Sequence, residues 1–146
     1  MTRIDDLKAG VAVIILNEAK QVLLQKRSDV GKWGIPSGHI EIGETVAEAA
    51  IREVKEETNL DIEIKKLIGV YSDPHSQVFS YPNGKIVHFI TNCFLADITG
   101  GELRCNSSES LEIKFFEQHN LPKDLLRMHP QWLTDALADK DLAFIR

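Results

Sequence analysis

The sequence predicts a single domain of the α/β class. Its 146 residues, 43% hydrophobic and 27% charged, are enough for one core and typical of a globular protein in water. Two patterns indicate the class: apolar or alternating runs of strand length, most continuous at residues 10–16, and amphipathic stretches of helical period, clearest at residues 46–58. Because the two kinds of segment interleave along the chain, we expect strands and helices to pack into one unit.

The N-terminal elements are predicted to be two strands joined as a hairpin. Residues 10–16 are apolar at nearly every position, as in a strand buried on both faces. Residues 17–20 form a short turn, and residues 21–27 return as the second strand. A polar connection, with Gly31 as its turn, then leads to a glycine-containing loop.

The next element is a helix predicted from Val46 to Asn59. Thr45 and Glu48 have the spacing of a capping box, and Asn59 can adopt the left-handed conformation that ends helices. At about 100° per residue, one arc of apolar side chains is expected to face the core: Val46, Ala47, Ala50, Ile51 and Val54. A cluster of carboxylates lies at the edge of this arc: Glu53, Glu56 and Glu57. Glu48 and Lys55 point to water.

The rest of the chain is predicted to be mainly strands, followed by helices. The expected elements are a strand at 61–71, a polar loop at 72–84 that ends in a hairpin turn, a central strand at 85–98, a polar turn at 106–110 and a strand at 111–116. Pro122 is placed at a helix start, and residues 130–142 are amphipathic and predicted to form the last helix.

The carboxylate cluster requires a positive neighbour. Glutamates spaced three and four apart on a helix repel one another, and the repulsion grows when they are partly buried. Arg52 can reach Glu56, but one guanidinium leaves most of the carboxylate lone pairs free. Hard oxygen ligands of this kind suit Mg²⁺ or Mn²⁺. The alternative is that the glutamates belong to an ordinary solvated helix face.

The loop and helix together resemble the Nudix signature. Gly38, Glu44 and the run Arg52–Thr58 have the family's residue types at the family's spacing, and an aliphatic residue closes the pattern. One fixed position differs: Asn59 stands where the family has Gly, and Asn is the usual substitute at a left-handed helix end. Upstream, Ser37 and His39 depart from the commonest version of the loop.

The resemblance implies a fold and a chemistry. The fold is an α/β/α sandwich with a mixed central sheet. The chemistry is Mg²⁺-dependent hydrolysis, with Mn²⁺ able to substitute, of a phosphoanhydride in a nucleoside diphosphate linked to another group, X. The implied metal ligands are the carbonyl of Gly38 and the carboxylates of Glu53, Glu56 and Glu57.

The resemblance also implies which residues catalyse. The metal-binding glutamates are candidates to orient or deprotonate the attacking water, with Arg52 holding them in place and Glu44 supporting the loop or binding metal weakly. The family often carries one more carboxylate in a loop near residues 106–110. Glu109 is the first candidate for it, and Glu112 is the second.

Substrate contacts are expected outside the signature, because the signature recognises only the diphosphate. The candidates are Arg27, Trp33, His39, Tyr71, His75, Phe79 and Tyr81. Phe79 and Tyr81 could form a wall that stacks on a nucleobase, or could instead cover the core. The chain is similar to bacterial ADP-ribose pyrophosphatase-like members, which favours ADP-ribose or a related nucleotide sugar. The alternatives are a MutT-like nucleoside triphosphate pyrophosphohydrolase and a regulator that binds a nucleotide without cleaving it.

The net charge and the cysteine content limit the kinds of partner and the cellular compartment that we expect. A net charge of −5 argues against a nucleic-acid polymer, which needs a basic face. Cys93 and Cys105 are isolated and are expected to be free thiols in a reducing compartment. The N-terminal segment has no apolar signal region and no run is long enough to span a membrane, so we expect a cytoplasmic protein without membrane contact. Homodimers are common in the family the chain resembles.

Overall fold

A computed structural model describes residues 3–105 and 108–146. Its strands are β1 Asp6–Ile15, β2 Val22–Arg27, β3 Trp33–Gly34, β4 Ser37–His39, β5 Asp61–Tyr71, β6 Val78–Ser80, β7 Ile86–Gly100, β8 Ser110–Phe116 and β9 Phe144–Ile145. Its helices are α1 Val46–Thr58, α2 Pro74–Gln77 and α3 Trp132–Leu137. Part of the turn predicted at 106–110 lies outside the described residues, since these stop at 105 and resume at 108. No helix in the described ranges is long and apolar enough to cross a membrane.

The strands form two sheets. The larger sheet has the order β4-β1-β7-β5-β9, with β6 paired to the start of β7. It is mixed, because β1 pairs with β7 and β5 with β9 in parallel while the other pairs are antiparallel. The smaller sheet, β3-β2-β8, is antiparallel.

Strand β1 is the wall between two hydrophobic clusters. Val11, Val13 and Ile15 belong to a cluster that includes Ala50 and Val54 of α1. The intervening residues Ala12 and Ile14 belong to a second cluster with Trp132 and Ala136 of α3. Since side chains alternate faces along a strand, the two helices cover opposite sides of the sheet. The predicted α/β/α sandwich with a mixed central sheet is confirmed.

The ends of α1 are where the sequence predicts them. The Glu48 backbone N–H donates to Thr45 Oγ1 at 3.1 Å and the Thr45 N–H donates to Glu48 Oε1 at 3.2 Å, so the capping box is complete. Asn59 has φ 65° and ends the helix in the left-handed conformation. Local chemistry therefore decides both ends.

The predicted core face of α1 is rotated from the observed one. Val46 and Ile51 are 40% and 42% exposed, whereas Ala49 and Thr58 are fully buried. The rotation brings two glutamates of the cluster onto the buried side of the helix. The apolar pattern alone missed this because the cavity described below has its own buried polar groups that receive these carboxylates.

The predicted hairpin of the first two strands is wrong. β1 belongs to the larger sheet and β2 to the smaller one, and the two strands meet only at an isolated bridge between Leu16 and Val22. The reason is that both edges of β1 are already occupied, by β4 on one side and β7 on the other.

The C-terminal region differs most from the prediction. Pro122 starts no helix; the segment after it is irregular, with the Leu126 N–H donating to the Trp33 carbonyl at 2.6 Å. The last helix ends at Leu137 rather than near Leu142, which is 84% exposed. The chain then adds strand β9 beside β5, where Gly69 allows a close approach: a Cβ on Gly69 would lie 2.6 Å from the Phe144 carbonyl oxygen.

Candidate active site

A cavity of about 550 Å³ opens beside α1. Most of the predicted site residues line it: Arg27, Gly38, His39, Arg52, Glu53, Glu56, Glu57, Tyr71, Phe79, Tyr81 and Glu109. Carboxylates of α1 stand at one part of the wall, and aromatic rings from the segment around β6 stand at another. A volume of this size suits a nucleotide-sized ligand.

Arg52 lies at the centre of an ion-pair network. Its Nε and Nη2 donate to the two carboxylate oxygens of Glu44 at 2.7 and 2.8 Å. Its Nη1 lies 3.0 Å from Glu53 Oε1 and 3.3 Å from Glu56 Oε2, and its Nη2 also donates to the His39 carbonyl at 3.2 Å. One guanidinium thus joins the loop before α1 to two carboxylates of the helix. The contact with Arg52 lowers the pKa of Glu44 to about 2.

Glu53 and Glu57 form a buried carboxylate pair. They are 8% and 4% exposed, and their side chains lie close enough for each to affect the pKa of the other. Burial raises the pKa of both, and burial together with the neighbouring Glu53 raises the pKa of Glu57 to about 9. Two carboxyl groups this close resist being charged together, so the pair favours a bound cation or a shared proton.

Gly38 lies directly against this pair. A Cβ at Gly38 would overlap the carboxyl group of Glu53, so glycine here lets that carboxyl group lie directly against the loop. Strand β4, which contains Gly38, pairs with β1. The position of the loop is therefore set by the sheet.

The donor set fits a hard divalent cation by its chemistry. Three carboxylates and one backbone carbonyl are oxygen ligands of the kind that Mg²⁺ and Mn²⁺ prefer. Among the described residues, no three acidic, His or Cys side chains are already arranged as a metal cage. Arg52 lies between Glu53 and Glu56 in this conformation.

Another part of the cavity wall contains positively charged side chains and aromatic rings. Arg27 pairs with Asp29 through contacts of 3.1 and 2.8 Å. The Phe79 ring lies 6.0 Å from the Arg127 guanidinium and 6.1 Å from the Phe89 ring. Arg127 Nη2 also donates to the Val78 carbonyl at 2.5 Å, which holds the guanidinium beside the ring.

Three predicted candidates lie away from the cavity. Trp33 is 7% exposed and packs edge-on against Phe116, with ring centroids 4.9 Å apart. The His75 side chain is 96% exposed and contacts Asp73. Glu112, the second candidate for the extra carboxylate, is exposed beside Lys114 at 3.7 Å, whereas Glu109 lines the cavity.

Several polar groups at or near the cavity are not predicted from the sequence. Gln25 follows Val22, Leu23 and Leu24 in β2 and is buried like them, and this change from apolar to polar within one strand is the pattern that could have identified it. Thr91 donates to Gln77 Oε1 at 2.7 Å inside the cavity, and nothing local in the sequence indicates that contact.

Fold and site together define a class: an α/β/α sandwich in which a loop glycine and a glutamate-bearing helix form the wall of a nucleotide-sized cavity. The model of the NUDIX domain matches residues 6–137. This chain belongs to the Nudix family.

Named relatives agree with this class. An ADP-ribose pyrophosphatase of Methanocaldococcus jannaschii is 41% identical over 112 residues, which are 75% of this chain and 62% of that protein. A candidate 8-oxo-dGTP diphosphatase of Bacillus subtilis is 36% identical over 113 residues, 77% of this chain and 68% of that protein. The crystal structure of an ADP-ribose pyrophosphatase from Streptococcus suis superposes with a TM-score of 0.74 at 26% identity, covering 95% of this chain and 97% of that one.

Proposed function

We propose that the protein hydrolyses the phosphoanhydride of a nucleoside diphosphate linked to a group X, in a reaction that depends on Mg²⁺. The observation that carries this proposal is the buried pair of Glu53 and Glu57 beside the Gly38 loop, at the wall of a cavity of about 550 Å³. Two buried carboxylates lower the stability of the fold unless a bound cation compensates their charge.

The residues that would hold the ion are the carbonyl of Gly38 and the carboxylates of Glu53, Glu56 and Glu57. When bound, Mg²⁺ or Mn²⁺ would neutralise the diphosphate and lower the pKa of a bound water. The chain itself supplies the orientation: Gly38 sits on β4, and Arg52 fixes the helix carboxylates relative to the loop through Glu44.

The water must also be oriented or deprotonated. Glu53, Glu56, Glu57 and Glu109 are the candidates for this general base, since all four line the cavity. Glu56 is the exposed member of the helix cluster, with 56% of its side chain accessible. Glu109 approaches from the start of β8 rather than from the helix. Substituting each with Gln, and comparing kcat, assigns the role.

Substrate recognition is proposed to lie on the aromatic wall. Phe79 and Tyr81 are half-buried and line the cavity, so their ring faces are suited to stacking on a nucleobase. Arg27 and His39 line the same cavity and offer donors to phosphate oxygens. ADP-ribose or a related nucleotide sugar is the preferred substrate, and the names of the archaeal relative and of the Streptococcus structure support it.

A nucleoside triphosphate is the second candidate substrate, supported by the name of the Bacillus subtilis relative. A module that binds a nucleotide without cleaving it is the alternative of another class. Retention of Gly38, Arg52, Glu53, Glu56 and Glu57 favours the enzyme, because a module that only binds has no need for every signature carboxylate.

A hydrolysis panel tests the proposal. ADP-ribose, other nucleotide sugars, 8-oxo-dGTP and dinucleoside polyphosphates are each incubated with Mg²⁺, with Mn²⁺ and with EDTA, and the products are separated. We expect metal-dependent cleavage with the highest kcat/KM for ADP-ribose or a related sugar, and ¹⁸O water identifies the phosphorus that is attacked. Higher kcat/KM for the triphosphate would transfer the proposal to the second substrate. Tight nucleotide binding with no product under any metal would overturn it.

Two further expectations belong to the proposal. A cytoplasmic location is the first, and it is tested by cell fractionation. A homodimer is tested by light scattering coupled to size-exclusion chromatography, where a mass near 16.4 kDa would contradict it.

A further inference from the structure

A chain of buried hydrogen bonds leads from Glu57 to the start of β8. Gln25 Nε2 donates to Glu57 Oε2 at 2.8 Å, and Ser110 Oγ donates to Gln25 Oε1 at 2.5 Å. Gln25 and Ser110 are 3% and 7% exposed. A buried primary amide is unfavourable unless both its ends are paired, and here both are.

The chemistry of the partners fixes the orientation of the amide. The carboxylate of Glu57 needs a donor, so it faces the NH₂ end of Gln25. The Ser110 hydroxyl then serves as the donor that the C=O end requires. Because a hydroxyl can donate or accept, the orientation of the amide is set by Glu57, and Ser110 completes the hydrogen bonding of the other end of Gln25.

Gln25 stands in a position where the strand pattern would supply an apolar residue. Along β2, Leu23 belongs to the hydrophobic cluster that contains α1, and Gln25 lies two residues further on, on the same face. The pairing of β2 with β3 and β8 holds it there, through Gly34 and Ile113. A core position facing the glutamate helix is therefore used for a hydrogen bond.

A β-bulge brings Ser110 to this face. Lys26 pairs with Glu112 but Arg27 pairs with Ser110, so Leu111 is an extra residue on β8. As a result Ser110 is buried and Leu111 is 60% exposed, although regular alternation from Ile113 would place Leu111 inward. Bulges of this kind redirect a side chain beside a site.

The same short segment contains Glu109. The Ser28 N–H donates to the Glu109 carbonyl at 2.8 Å, which fixes the backbone just before Ser110. Because Glu109 lines the cavity and Ser110 contacts Gln25, the segment is connected to Glu57 through side chains as well as through the sheet.

Two N–H groups, one from a side chain and one from the backbone, donate to the same carboxyl oxygen of Glu57. Gln25 Nε2 and the Ser37 backbone N–H lie 2.8 and 3.2 Å from Oε2. Oε1 accepts neither of these two hydrogen bonds. Losing Gln25 would let the carboxyl group rotate.

We propose that Gln25 and Ser110 are positioning residues for Glu57, which hold its carboxyl group in the orientation that a divalent cation requires and align the Glu109 segment with the glutamate helix. This inference rests on the proposed function, because it assumes that Glu57 binds a metal ion. Neither residue belongs to the signature run that carries the resemblance to the family.

The test uses Gln25→Leu, which keeps the side-chain volume and removes both hydrogen bonds. The matched control is Gln21→Leu, because Gln21 immediately precedes the same strand and its Nε2 donates to another carboxylate, Glu117, at 2.7 Å. Mn²⁺ affinity of the protein without substrate is measured by electron paramagnetic resonance, and folding by circular dichroism. kcat and KM are then measured on the best substrate of the panel.

We expect Gln25→Leu to weaken Mn²⁺ binding by about 10- to 100-fold, the range typical when a group that supports a metal ligand is removed. kcat should fall more than KM rises, and Gln21→Leu should bind Mn²⁺ like the wild type. Ser110→Ala should show a smaller loss and Ser110→Thr should restore binding, since threonine keeps the hydroxyl donor.

Equal Mn²⁺ affinity in Gln25→Leu and Gln21→Leu would overturn the inference. If Gln25→Leu does not fold, Ser110→Ala decides, and wild-type Mn²⁺ affinity in that variant would overturn it. A wild-type protein that binds no Mn²⁺ would instead overturn the metal site of the proposed function, so the two failures are distinguishable.

Discussion

Arg52 makes a two-pronged contact with Glu44, in which Nε and Nη2 each donate to a different carboxylate oxygen at 2.7 and 2.8 Å. Glu44 is held in turn by the Glu41 backbone N–H, which donates to its Oε1 at 2.9 Å. The loop before α1 is thus attached, through Glu44, to Arg52 of the helix.

Arg52→Lys is expected to lower kcat by about tenfold or more. Lysine keeps the charge but has no planar fork, so it cannot hold Glu44 and the helix carboxylates together. Steady-state kinetics and Mn²⁺ titration measure the effect. Arg104→Lys is the control, because Arg104 is exposed and its guanidinium contacts Asn59 Oδ1 at 3.4 Å rather than a carboxylate of the cluster. Unchanged kcat and Mn²⁺ affinity in Arg52→Lys would show that charge alone suffices.

Glu53→Gln and Glu57→Gln are each expected to lower Mg²⁺-dependent hydrolysis by at least about a hundredfold, since a direct ligand should matter more than a group that supports it. The circular dichroism spectrum should not change, because the amide keeps the shape and one acceptor oxygen. Glu63→Gln, on the exposed face of β5, is the control. Retained hydrolysis in either helix variant would remove that residue from the metal site.

Gly38→Ala is expected to fold but to bind Mn²⁺ more weakly and to lose kcat by about tenfold or more. The new methyl group would overlap the Glu53 carboxyl group, which must then move away from the Gly38 carbonyl. Gly100→Ala is a suitable control, because its Cβ would lie 3.3 Å from the Asp61 side chain and far from the site's carboxylates. The prediction would be contradicted if Gly38→Ala and Gly100→Ala both bound Mn²⁺ as tightly as the wild type.

Phe79→Ala is expected to raise KM by about tenfold with little change in kcat. Stacking of a base on an aromatic ring contributes about 1–3 kcal/mol, and Phe79 belongs to β6 rather than to the helix whose carboxylates would act on the phosphoanhydride. His75→Ala serves as the comparison, since its side chain is in the same segment but 96% exposed. A fall in kcat with constant KM would place Phe79 in a different role.

Protein stability is expected to fall in acid through Asp135. Arg146 donates to both of its oxygens, at 3.1 and 2.8 Å, and the Tyr71 hydroxyl donates at 2.8 Å, so the pKa of Asp135 is held below its ordinary value of 3.8. The unfolded chain therefore binds a proton more readily than the folded one. The stabilisation is complete above about pH 4 and is lost as the pH falls through the lowered pKa.

Asp135→Asn tests this expectation. Because Asp135 is 2% exposed, the substitution should lower the free energy of unfolding by about 3 kcal/mol at pH 7, and the gap to the wild type should narrow toward pH 2. Urea unfolding across this pH range measures both. A gap that stays constant with pH would assign the effect to packing, for example of Tyr71 against His129, whose ring centroids are 5.7 Å apart.

The parts of the fold that were predicted are those decided by neighbours in sequence. The ends of α1 depend on Thr45, Glu48 and Asn59, all within or beside the helix. The long strands β5 and β7 also follow from their own residue pattern. The division of β1 and β2 between two sheets depends instead on β4 and β7 occupying both edges of β1, and no local pattern contains that information.

The site shows the same division. The glutamates and Gly38 lie in one continuous stretch of sequence, so their spacing alone predicts that they lie close together in the fold. Gln25 and Ser110 are 85 residues apart, and their contact depends on strand pairing and on a bulge. Trp33 was expected at the substrate because it adjoins the loop, yet its partner Phe116 comes from a distant strand and holds it in the core.

Because of the bulge on β8, Leu111 is a suitable position for a label that reports on the site. Leu111 is largely exposed, whereas the preceding residue, Ser110, is buried. A cysteine substituted here could carry a fluorophore or spin label a single residue from Ser110 without entering the cavity. Such a label would report movement of the β8 segment when a ligand binds, in a chain whose native thiols, Cys93 and Cys105, are one buried and one exposed.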